Sequence, residues 1–154
     1  MSPSEVLARE VTEWLAKAAD DLGGARVLAD AGHPALALYH CQQAAEKSLK
    51  AFLTAHQKAF RKTHNLKELG ESCSVIDPSF APVAAASHSL KDYAWKLRYP
   101  GDPYVIEDGE LEAMILLADT TLSEVRSRIA NETPPALAIP GESGPQSVQS
   151  PESE

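Results

Sequence analysis

Apolar positions along this chain recur at three- and four-residue steps, the spacing of one face of an α-helix. From about Val6 to Ala31, Val11, Trp14, Leu15, Ala18, Leu22, Ala25 and Ala29 share such a face. Gly23 and Gly24 inside this segment each cost about 1 kcal/mol relative to Ala, so a local weakening or a close helix contact is expected there. Gly32 is placed to end the helix in the left-handed conformation, and Pro34 suits the first turn of the next, giving a tight helical hairpin. A second helix, Pro34 to His56, carries Leu38, Cys41, Ala45, Leu49 and Phe52 on one stripe. His40, Gln43, Lys47, Lys50 and Thr54 fall on the other side, which reads as a solvated face.

Thr63 is the expected N-cap of a short helix over Asn65 to Cys73, anchored by Leu66 and Leu69. Asp77 and Pro78 open a fourth helix expected to run to Leu97 or Arg98, because Pro100 biases Tyr99 away from helical backbone. A loop, RYPGDPYV, follows. The last helix, Asp108 to Ala130, shows the clearest amphipathic pattern: Leu111, Met114, Ile115, Ala118, Leu122, Val125 and Ile129. Short connections between long helices predict an all-α fold: an antiparallel up-and-down bundle of four long helices plus one short one. The bundle domain is expected over residues 1–131. Residues 132–154, rich in Pro, Ser, Gly and Glu, offer little apolar surface to offset ordering entropy and read as a disordered acidic tail.

Composition changes this picture in three places. At 154 residues the chain suits one domain. Two cysteines cannot form a disulfide framework and the N-terminus lacks a signal-peptide pattern, so a reducing cytoplasm is the expected location. No apolar run approaches the roughly 20 residues needed to cross a bilayer, so no membrane partner is expected. The net charge of −8 argues against blanket affinity for nucleic acid, although four of the acidic residues, Glu132, Glu142, Glu152 and Glu154, lie in the tail. Against that background Lys47, Lys50, Lys58, Arg61, Lys62 and Lys67 form a local basic region.

Three segments in this order, YHCQQAAEKSLKAFL from Tyr39, KTHNLKEL from Lys62 and LRYPGD from Leu97, resemble the HEPN domain family over about residues 6 to 130. The resemblance implies a helical bundle, commonly a homodimer, associated with nucleotides or RNA and often with a small nucleotidyltransferase partner in toxin-antitoxin modules. Several branches of the family are metal-independent ribonucleases that use an Arg followed, after four to six residues, by a His. Here the matching Arg is Arg98, but Pro103, Tyr104 and Val105 stand where the His belongs. Arg98 can hold a phosphate, yet proton transfer wants a group titrating near neutrality, which Tyr is not.

Gln43, Lys47, Lys50, Arg61, His64 and Arg98 are therefore the candidate nucleotide- or phosphate-binding residues. Arg98 and His64 are the only catalytic candidates. The Glu46 and Lys50 pair, four apart, reads as a surface ion pair, and His64 as a residue that orders its own loop. On an unbroken fourth helix His88, Lys91, Trp95 and Arg98 would share an arc, with Trp95 the anchor of an interface. Cys41 falls on the core stripe, and Asp20 and Asp21 are expected to face solvent. Nothing in the spacing of His, Cys or Asp points to a metal, and no cofactor is expected. Binding of nucleotide, RNA or a nucleotidyltransferase is the leading expectation. A dimeric metal-independent endoribonuclease and a purely structural interaction module are the alternatives.

Overall fold

A computed structural model describes residues 1–101 and 104–132. Of the expected tail only Glu132 is described, and it is the last residue of a helix; residues 133–154 and the Pro103 position lie outside the described residues. Within them the chain is all-helical: α1 Pro3–Asp30, α2 Pro34–Ala55, α3 Leu66–Ile76, a short 3-10 turn Pro78–Phe80, α4 Ala81–Ser87, a second 3-10 segment His88–Ala94, and α5 Glu110–Glu132.

Local chemistry sets each boundary. α1 begins earlier than its apolar pattern because Ser2 and Glu5 form a reciprocal cap and Pro3 fits the first turn. Gly23 and Gly24 do not break it, and no atom crowds either position. Gly32 adopts φ +84°, and the His33 N–H reaches back to the Leu28 carbonyl at 2.8 Å, closing the helix as expected. The cap of α3 is Asn65, whose side chain accepts from the Glu68 N–H; Thr63 instead receives the Asn65 N–H.

The main departure is between Asp77 and Arg98, where one long helix is replaced by α4 and 3-10 segments. After Phe80, the buried residues of α4 and the 3-10 segment that follows it are Ala84, Ser87, Leu90 and Tyr93. Their strict spacing of three is the period of a 3-10 helix, in which residues i and i+3 eclipse. Ser87 also returns its hydroxyl to the Ala84 carbonyl at 2.7 Å, an arrangement that bends helices.

Pairing across the bundle gives its topology. Asp21 meets His40 and Lys47 while Trp14 lies near Lys50, so α1 and α2 are antiparallel. Arg26 meets Asp119, and His56 at the end of α2 meets Glu132 at the end of α5, so α5 runs alongside α2 in the same direction. Residues 77–98 return between them: Asp77 pairs with Arg128 near one end of α5, and Tyr93 bonds Glu110 at the other. The up-and-down arrangement is thus present.

α2 is the central element. Every residue from Cys41 to Leu53 is buried except Lys47, which is half-buried. Phe52 and Phe80 stack at 5.2 Å between centroids in a core shared with Leu38, Leu49, Leu66, Leu69 and Val125. Each such side chain contributes about 1.5–3 kcal/mol of burial. Gly70 lets α3 close on α4, since a Cβ there would stand 3.1 Å from that of Ala84.

Candidate functional site

The burial of α2 overturns its expected solvated face. Glu46 is only 2% exposed, Lys50 7% and Gln43 9%. Carboxylates and ammoniums enter an interior only when paired and hydrogen-bonded, and Glu46 supplies that pairing. Its Oε1 accepts from Lys50 Nζ at 2.8 Å. Its Oε2 accepts from His64 Nδ1 at 2.9 Å and from the side-chain amides of Gln42 and Gln43 at 3.2 and 3.3 Å. The Glu46 and Lys50 pair is therefore an internal bond, not a surface one. The Lys50 ammonium also lies 5.4 Å from the Trp14 ring centroid and 5.8 Å from that of Phe60.

Beside this cluster, Asp21 of α1 receives both His40, at 2.8 Å, and Lys47. Asp21 is thus an inter-helix partner and not a solvent-facing residue, whereas Asp20 is exposed. Arg61 is held by Glu68 through two hydrogen bonds of 2.7 Å, and that pairing keeps the Glu68 carboxyl below its usual range. Of the expected phosphate-binding residues, Lys47, Lys50 and Arg61 are each paired with a carboxylate, and the Gln43 amide is bonded to Gln42 and Glu46.

His64 and Arg98 differ. His64 precedes the α3 cap, in the loop between α2 and α3. Its side chain is 72% exposed although its Nδ1 is fixed to Glu46. Its carbonyl accepts from the Gln42 amide at 3.4 Å, so its backbone is tied to α2 as well. The Arg98 guanidinium lies 4.7 Å over the Tyr39 ring and 5.6 Å over Tyr99, and donates to the Ala94 carbonyl at 3.1 Å. No carboxylate pairs with it among the described residues. Trp95 and Tyr99 are 61% and 69% exposed, so Trp95 is not a buried anchor within this chain. The break in the helix also separates Trp95 and Arg98 from His88, which lines a cleft between α3 and α4 with Gly70, Val75 and Ala84. Lys91 is exposed and distinct from both groups.

These residues share one edge of α2. Tyr39, Gln43, Glu46 and Lys50 recur at four- and three-residue steps and fall within about 60° around the helix axis. Arg98 sits at the Tyr39 end and His64 near the middle. At the Lys50 end is a groove of about 720 Å³ lined by Leu7, Trp14, Lys17, Lys58 and Phe60.

Tyr104, which stands where the nuclease His belongs, is occupied. It donates to Glu110 Oε1, which also accepts from Tyr93 at 2.5 Å. The bond to Glu110 pushes the Tyr104 phenol above its ordinary range. Burial, then the same carboxylate, does so for Tyr93. Burial alone would raise the Glu110 carboxyl, but the two phenols outweigh it and hold it low. A phenol so held is no proton acceptor at neutral pH. Among the described residues no cluster of three or more His, Cys, Asp and Glu side chains is arranged to hold a metal.

Sequence reasoning missed Glu46, Gln42, Tyr39, Asp21 and Glu110. The signal for the first two was available, since apolar residues on every side of α2, Ala44, Ala45, Ala51 and Leu53 among them, mark a helix covered all round.

The HEPN domain profile matches residues 11–128. The chain belongs to the HEPN family. The crystal structure of an archaeal HEPN homologue superposes with a TM-score of 0.64 at 26% identity, covering 77% of this chain and 97% of that one. No curated protein matches the sequence significantly. This HEPN domain therefore has the family bundle, and Tyr104, one of the three positions where the resemblance would place a His, is bound to a carboxylate. No helix among the described residues is long and apolar enough to cross a membrane.

Proposed function

We propose that this HEPN domain binds single-stranded RNA or nucleotides at the Arg98 edge and does not cleave them through the family's Arg-and-His motif. The observation that carries this reading is Arg98 itself. Its guanidinium is stacked over Tyr39 and Tyr99 with no carboxylate partner among the described residues, beside an exposed Trp95. Unpaired cations interleaved with open aromatic faces suit a phosphate and a stacked base together. Arg61, Lys47 and Lys50 already neutralise carboxylates and contribute little net attraction.

Fluorescence anisotropy with a labelled oligouridylate tests the reading. Arg98→Ala is expected to weaken binding at least tenfold, about 1.4 kcal/mol, and Trp95→Ala by a similar factor, within the range for one stacked base. Equal affinities in parent and variants overturn it.

The exposed Trp95 also supports a second reading, in which this surface meets a second copy of the chain or a nucleotidyltransferase, as in toxin-antitoxin modules. Trp and Arg are enriched at such interfaces. Light scattering of parent and Trp95→Ala, alone and mixed with a candidate nucleotidyltransferase, separates this from RNA binding.

A further inference from the structure

His64 is an exposed imidazole aimed by a buried carboxylate. Glu46 faces the Lys50 ammonium and two side-chain amides, all of them donors, so both its oxygens act as acceptors. The ring nitrogen that meets it at 2.9 Å, Nδ1, must then carry the hydrogen. In the neutral ring this tautomer leaves Nε2 as a bare acceptor. With the side chain 72% exposed, Nε2 has no partner among the described residues.

What such a group recognises is a donor. A phosphate offers none, whereas the ribose 2′-hydroxyl does, and it is the group that tells RNA from DNA. Position agrees with this. Arg98 rests on Tyr39 and His64 on Glu46, two residues of the same α2 edge separated by seven positions, or about 10 Å at 1.5 Å per residue. At a stacked rise of about 3.4 Å per nucleotide, that span corresponds to roughly three nucleotides.

Resting on the RNA-binding reading above, we propose that His64, oriented by Glu46, accepts a hydrogen bond from a ribose 2′-hydroxyl of a strand whose phosphate is held by Arg98. The site is thereby selective for oligoribonucleotides over both DNA and mononucleotides. Glu46 is a positioning residue in this arrangement. His64 makes the contact.

The test compares a short labelled oligouridylate with its 2′-deoxy counterpart, and with uridine monophosphate as competitor, on the parent, His64→Ala, His64→Phe and Arg98→Ala. His64→Phe keeps a ring but has no acceptor. The expected result is a five- to tenfold preference for the ribo strand in the parent. That preference disappears in both His64 variants, while their affinity for the deoxy strand is unchanged. Arg98→Ala weakens both strands alike, and the monophosphate competes poorly. Equal binding of the two strands by the parent overturns the inference and leaves the RNA-binding reading standing, as does a ribo preference that survives in the His64 variants. Absence of binding to either strand overturns both.

Discussion

Two thiols lie in the core of this domain, Cys41 on α2 and Cys73 on α3, both fully buried. Burial pushes each up to about 12 from an ordinary value near 9, because a thiolate would lose its hydration there. The folded protein therefore keeps protons that the unfolded chain releases above about pH 9, and stability is expected to fall as pH rises from there toward 12. At pH 8 iodoacetamide should leave both thiols unmodified in the native protein and alkylate both in denaturant; mass spectrometry showing native labelling within minutes would contradict this burial. Cys41 was legible as a core residue because its neighbours at three- and four-residue steps are apolar. Glu46 was not, because a Glu four residues before a Lys looks the same in sequence on a wet face as on a dry one, and the partners of the pair, His64 on Glu46 and the Trp14 and Phe60 rings near Lys50, come from distant segments.

At the scale of elements, the end of α2 carries a cost. Gln57 has φ +53°, the left-handed region, while its neighbour Lys58 returns its N–H to the Leu53 carbonyl at 2.9 Å. A side chain there costs roughly 1–2 kcal/mol, partly offset by the lower unfolded-state entropy of a non-glycine residue. Gln57→Gly is expected to stabilise the domain by about 0.5–1 kcal/mol, read as a rise of about 2 °C in Tm. An unchanged or lower Tm would show that the Gln57 side chain makes compensating contacts where it lines the Trp14 groove. The existence and order of the helices were legible, since α1, α2 and α5 are long and strongly periodic. The broken helix was misjudged because a run of Ala, Ser and Leu fits both periods, and only the 84, 87, 90, 93 spacing of the buried residues after Phe80 separates them.

For the whole molecule, the net charge of −8 and the pairing of Lys47, Lys50 and Arg61 with carboxylates leave few cations near α2 to displace counterions. With one or two phosphates neutralised, the logarithm of RNA affinity should fall with the logarithm of salt with a slope of about −0.7 to −1.4. A slope of −4 or steeper in anisotropy titrations across sodium chloride would mean a broad basic face and contradict binding by a few contacts at the Arg98 edge. The acidic balance was legible in the sequence; the pairing of Lys47 with Asp21 on α1 was not, because it joins distant segments. The shared carboxylate of Glu110 has a consequence for engineering as well. Its two phenol partners fasten the end of the 3-10 segment and the loop after Arg98 to the first turn of α5. A histidine grafted at position 104 would inherit that carboxylate as its partner and be held against α5, so placing a free imidazole there calls for rebuilding the seat as well as replacing its occupant.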